Sequence, residues 1–109
     1  MSIELPKGIA NYFLAERSRS AEEVSRCFTE TAVVRDEGNT YKGRDAIRGW
    51  KAHASKKYNY TVEPFAVGTE VGQTLVTSHI VGDFPGSPVD LRYTFVVDGE
   101  EIAELGITL

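Results

Sequence analysis

Apolar residues recur at helical spacing through the first half of the chain and at alternate positions through the second. In "LPKGIANYFLAERSRS", Leu5, Ile9, Tyr12, Phe13 and Glu16 fall three or four apart, and Pro6 suits a first helical turn, so a helix is predicted here. Ser20 followed by Glu23 has the form of a capping box opening a short second helix, "AEEVSRCF", whose apolar side is Val24, Cys27 and Phe28. "ETAVVRD" reads as a short strand. "YKGRDAIRGWKAHASKK" then places Ile47, Trp50 and Ala54 on one stripe of a third helix. After Lys57 the period becomes two. "YNYTVEPFAVGTEV", "QTLVTSHIVGDF", "VDLRYTFVV" and "EIAELGITL" read as four strands, joined at Gly72-Gln73, Pro85 to Pro88 and Asp98-Gly99. Helices followed by an antiparallel meander define an α+β fold, with the helices on one face of a curved sheet.

Pairing decides which face. A four-residue loop from Pro85 to Pro88 sets Phe84 opposite Val89. Val76, Ser78, Ile80, Phe84, Val89, Leu91, Tyr93, Phe95 and Val97 then share one face, and Thr77, His79, Val81, Asp83, Asp90, Arg92, Thr94 and Val96 share the other. The first set is the more apolar and is expected to meet the helices. His79 and Arg92 would then lie outside, with Arg92 paired to Asp90 or Asp83 or reaching across a dimer.

The 109 residues make one domain, 1–109, large enough to bury its own core. No apolar run is long enough for a membrane span. The start lacks the pattern of a secretory signal and Cys27 has no partner, which gives a cytoplasmic expectation. The net charge of −4 divides unevenly: residues 1–57 carry +3 and residues 58–109 carry −7. An acidic half with scattered cations argues against nucleic acid as a partner. No metal-ligand spacing and no phosphate-cradling glycine loop is visible, so neither metal nor cofactor is expected.

"F-x-x-x-A-V-V-x-D", from Phe28 to Asp36, followed by "Y-x-G-R-x-A-I", from Tyr41 to Ile47, resembles the nuclear-transport-factor-2-like superfamily, and within it the SnoaL-like and ketosteroid-isomerase-like proteins. The resemblance covers nearly the whole chain. It implies a cone-shaped curved antiparallel sheet with three helices on its concave face, a pocket for a hydrophobic small molecule, and a homodimer formed through the outer sheet face. It also implies cofactor-free isomerase or cyclase chemistry, in which a carboxylate moves a proton beside a carbonyl and hydrogen-bond donors hold the enolate oxygen. Asp36 matches the base of that template, Tyr12 its tyrosine donor, and Tyr93 lies near its second donor. No aspartate falls on the face where the template has one. Trp50, Phe13, Val34 and Phe95 are the expected ligand-binding residues. Two alternatives stay open: Asp36 as a solvated turn residue, and the whole chain as a non-catalytic ligand-binding or dimerisation module.

Overall fold

The structure is a computed structural model that describes residues 4–109. Three helices and six strands follow one another as α1 (Lys7–Ser18), α2 (Ala21–Arg26), β1 (Phe28–Asp36), β2 (Asn39–Lys42), α3 (Arg44–Lys57), β3 (Tyr60–Glu70), β4 (Gln73–Gly82), β5 (Val89–Asp98) and β6 (Glu101–Thr108). Helix α1 buries a stripe of Ile9, Tyr12, Phe13, Ala15 and Glu16, as its spacing predicts. Ser20 caps α2, its Oγ accepting from the Glu23 backbone N–H at 3.2 Å.

One curved sheet runs β2-β1-β6-β5-β4-β3. All neighbours are antiparallel except β1 and β6, which run parallel. That junction lets the N-terminal hairpin join the meander by its last strand, so the sheet curls around the helices without closing. Strand β2 is absent from the pattern-based reading, which merged its residues into the opening of α3. It is a four-residue polar edge strand, and the Glu37-Gly38 turn before it needs two positive φ values, 52° and 79°.

The β4–β5 register also differs from expectation. Val89 lies opposite Ile80, not Phe84, because β4 stops pairing with β5 before the Asp83–Pro88 loop. The loop folds back on itself, with the Gly82 N–H donating to Ser87 Oγ at 2.9 Å. The slip is four residues, an even number, so the faces are unchanged. Val76, Ser78, Ile80, Tyr93 and Phe95 are all buried against the helices. His79, Val81, Asp90 and Arg92 lie on the outer side. There Asp90 takes His79 as its partner, Nδ1 to Oδ1 at 2.7 Å, and not Arg92.

Two local devices fix the end of the sheet that matters below. Arg19 ends α1 in the left-handed region at φ 58°, and its guanidinium donates to the carbonyls of Ser55, Tyr58 and Tyr60 at 2.7, 2.9 and 3.3 Å. It thus satisfies orphan carbonyls at the end of α3 and ties them to the start of β3. Gly82 lets β4 close on that same start, since a Cβ there would overlap the Asn59 carbonyl and come within 2.6 Å of the Tyr60 Cβ. Gly82→Ala is expected to cost about 1–3 kcal/mol. An unchanged denaturant midpoint for that variant would show that the two strands are not in forced contact.

Candidate active site

Between the helices and the concave face lies a cavity of about 600 Å³. Its wall is largely apolar and aromatic, including Ile80, Phe84, Val89, Leu91 and Tyr58. Polar groups enter it from five elements, β1, α1, α3, β3 and β5, and each is placed by its local fold.

Asp36 ends β1 and is half-buried on the cavity wall. Its side chain faces Trp50, carried by the inner stripe of α3, and the indole Nε1–H donates to Asp36 Oδ2 at 3.0 Å. Burial raises the Asp36 proton affinity above that of an ordinary aspartate; the Trp50 hydrogen bond and the Lys51 charge oppose this, while Glu37 and Glu16 add to it. Burial prevails. The carboxyl is shifted toward the range where it can both take and return a proton.

The second polar cluster was not foreseen. Lys51, next to Trp50 on α3, and Glu16, on the buried stripe of α1, meet at the cavity wall with side chains 6% and 2% exposed. Lys51 Nζ lies 2.9 Å from Glu16 Oε1 and 2.8 Å from Oε2. Tyr60 at the start of β3 completes the group: its hydroxyl donates to Glu16 Oε1 at 3.2 Å and accepts from Lys51 at 3.4 Å. The ammonium also sits 4.2 Å from the centre of the Trp50 ring, a cation–π contact on the indole that holds Asp36. Desolvation alone would lower the Lys51 proton affinity, but Glu16 and Tyr60 outweigh it and leave it raised. Lys51 is therefore a protonated cation, not an amine nucleophile. One signal for this cluster stood in the letters: Glu16 is the single carboxylate on an otherwise apolar helical stripe.

Tyr93 lines the cavity and is 3% exposed, its phenol held well above the usual tyrosine range by burial, with the nearby Glu16, Tyr60 and Asp36 acting in the same direction. Among the described residues its hydroxyl has no hydrogen-bond partner. Tyr12 is placed otherwise. It is fully buried behind the wall, its ring packed edge-on against Phe13, Phe28 and Phe95; its hydroxyl lies near the Glu16 carboxylate but makes no well-formed hydrogen bond among the described residues. The group of α1 that reaches the cavity is Glu16, one turn further on.

Of the residues read as ligand-binding, Trp50 lines the cavity, whereas Phe13, Val34 and Phe95 belong to the core beneath it. Phe95 stacks on Tyr93 with ring centres 6.1 Å apart, and Phe13 meets Tyr93 edge-on at 5.4 Å. They set the position of a wall residue without reaching the wall themselves.

The chain belongs to the SnoaL-like domain family, which matches residues 9–104. It is 36% identical to a candidate polyketide cyclase of Sinorhizobium meliloti of known structure, over 95% of both chains and with a TM-score of 0.90. A protein of Catenulispora acidiphila with a ketosteroid-isomerase-like fold, solved in complex with trimethylamine, aligns at 19% identity over 97% of this chain and 87% of its own, with a TM-score of 0.86. The epoxide hydrolase/cyclase-like enzyme SalBIII, of pyran ring formation in the polyether salinomycin, aligns at 18% identity over 92% of this chain and 85% of its own, with a TM-score of 0.76. No curated protein matches the sequence.

Proposed function

We propose that the protein is a cofactor-independent acid–base enzyme acting on a small hydrophobic carbonyl compound, as an isomerase or cyclase. The observation that carries this reading is the Asp36 carboxylate, partly desolvated on the cavity wall and aimed by the Trp50 indole N–H at 3.0 Å. In the proposed step the carboxylate removes a proton from the carbon beside the carbonyl. The electron pair moves onto the carbonyl oxygen, which accepts a hydrogen bond from the Tyr93 hydroxyl, and Asp36 returns its proton to the rearranged skeleton. Tyr93 suits the donor role because its neutral form is strongly favoured and its hydroxyl is uncommitted. Similarity to the Sinorhizobium meliloti protein supports a cyclase-like activity.

Exchange of ketone α-protons into deuterated water tests the step without knowledge of the natural substrate. Benzylacetone, a small aryl ketone that fits the cavity's character, should exchange faster with the protein than with buffer, and Asp36→Asn should lose that acceleration. Exchange that survives the substitution would remove Asp36 from the role.

A non-catalytic module is the second reading, favoured by the apolar groups left on the outside of β3 and β4. Phe65 and Val81 are 50% and 45% exposed there, a surface through which a homodimer could form. Absence of any catalysed exchange, together with a dimer in sedimentation, would favour it.

A further inference from the structure

A protonated lysine on the wall of an apolar cavity is the usual means of capturing a carboxylate or phosphate group. Here that cation is already taken. Glu16 holds both carboxylate oxygens within 2.9 Å of Lys51 Nζ, and Tyr60 adds a hydrogen bond to the same carboxylate. The partners come from different helices, α1 and α3, so the pairing is set by the tertiary fold and not by local helix spacing. Among the described residues, the other charged side chains on the cavity wall are Asp36 and Glu37, both acidic.

We propose that Glu16 is a specificity-determining residue of this cavity: by sequestering the Lys51 ammonium it converts an anion site into one that refuses anions. The inference rests on the reading that the cavity holds a small hydrophobic molecule, and is independent of whether Asp36 turns it over. An incoming carboxylate would have to displace Glu16 from a pair that is already desolvated, or lie beside Asp36 with like charge, which is strongly unfavourable in a low-dielectric site. An uncharged ketone meets neither obstacle. The cavity is thereby set to distinguish a carbonyl compound from its carboxylate counterpart of the same shape.

Trp50 is the only tryptophan and lies on the cavity wall, so its fluorescence reports binding directly. The probes are benzylacetone and hydrocinnamate, which differ only in a methyl group replaced by a charged oxygen. The wild-type protein should bind benzylacetone about ten-fold more tightly or better. Glu16→Gln leaves the ammonium without its counter-charge and should raise hydrocinnamate affinity about ten-fold, with benzylacetone little changed. The double variant Glu16→Gln/Lys51→Met should lose that gain, which assigns it to Lys51. Equal affinity of the wild type for the two probes overturns the proposal, as does a folded Glu16→Gln that gains nothing for hydrocinnamate. If Glu16→Gln does not fold, Glu16→Asp, whose shorter side chain draws the carboxylate back from Lys51, takes its place: a gain for hydrocinnamate is expected, and none overturns the proposal. Failure of both probes to bind would bring down the small-molecule reading and this inference with it, whereas benzylacetone that binds but does not exchange would sink only the catalytic step.

Discussion

Lys51→Met alone is expected to destabilise the protein by about 3–5 kcal/mol, a large share of the roughly 5–15 kcal/mol that holds a domain together. The substitution leaves Glu16 buried without its counter-charge and takes a donor from Tyr60. Removing both charges is a different matter. Glu16→Gln/Lys51→Met should recover most of the loss, because a buried ion pair barely offsets its own desolvation and an isosteric neutral pair can replace it at little cost. Urea melts at neutral pH separate the cases, and a single variant within about 1 kcal/mol of wild type would mean that the pair is solvated. The pH dependence has a definite sign. Lys51 binds its proton more tightly in the fold than its ordinary value of 10.5. Its contribution is therefore fully present below that ordinary value and lost as pH rises through the higher folded value. The wild type should weaken in strongly alkaline melts, and the double variant should not share that loss.

Asp36→Asn is expected to reduce catalysed exchange by about 10²–10⁴-fold, the usual contribution of a positioned general base. The same change should raise stability at neutral pH. Asp36 holds its proton more tightly in the fold than at its ordinary value of 3.8. The stability linked to this group is then fully present below 3.8 and is lost as pH rises through the folded midpoint, so at neutral pH the buried carboxylate is a burden. Asparagine removes the charge and keeps an oxygen for the Trp50 N–H. Lower activity with a higher melting temperature is the pattern of a residue kept for chemistry at the expense of stability. A lower melting temperature would indicate a structural carboxylate, and unchanged exchange would remove the base.

Much of this arrangement was legible in the letters, and the limits have physical causes. Period, together with capping and turn residues, gave the three helices, the four-strand meander and the inward face of β4 and β5, although α2 ends at Arg26 and Phe28 already belongs to β1. That face survived a four-residue error in register because alternation has period two. Strand β2 was hidden because a short polar edge strand has no apolar face to announce it. Asp36, Trp50 and Tyr93 all line the cavity, as the family resemblance implied for Asp36 and Tyr93 and the inner stripe of α3 for Trp50. Tyr12 does not, since helical spacing tells which side of α1 is buried but not where along that side the core ends and the cavity begins. The Glu16–Lys51 pair spans 35 residues between two helices. Only their packing angle brings it together, and no spacing in one chain encodes that angle.

The central claim is that Asp36 is turned inward and partly desolvated, with the Trp50 indole upon it. Its most direct test is a pH titration followed by NMR at the Asp36 carboxyl carbon and at the indole N–H of the only tryptophan. A single shared midpoint, higher than the ordinary aspartate value of 3.8, is the predicted result. An Asp36 midpoint at or below that value, with an indole resonance indifferent to it, would contradict the account.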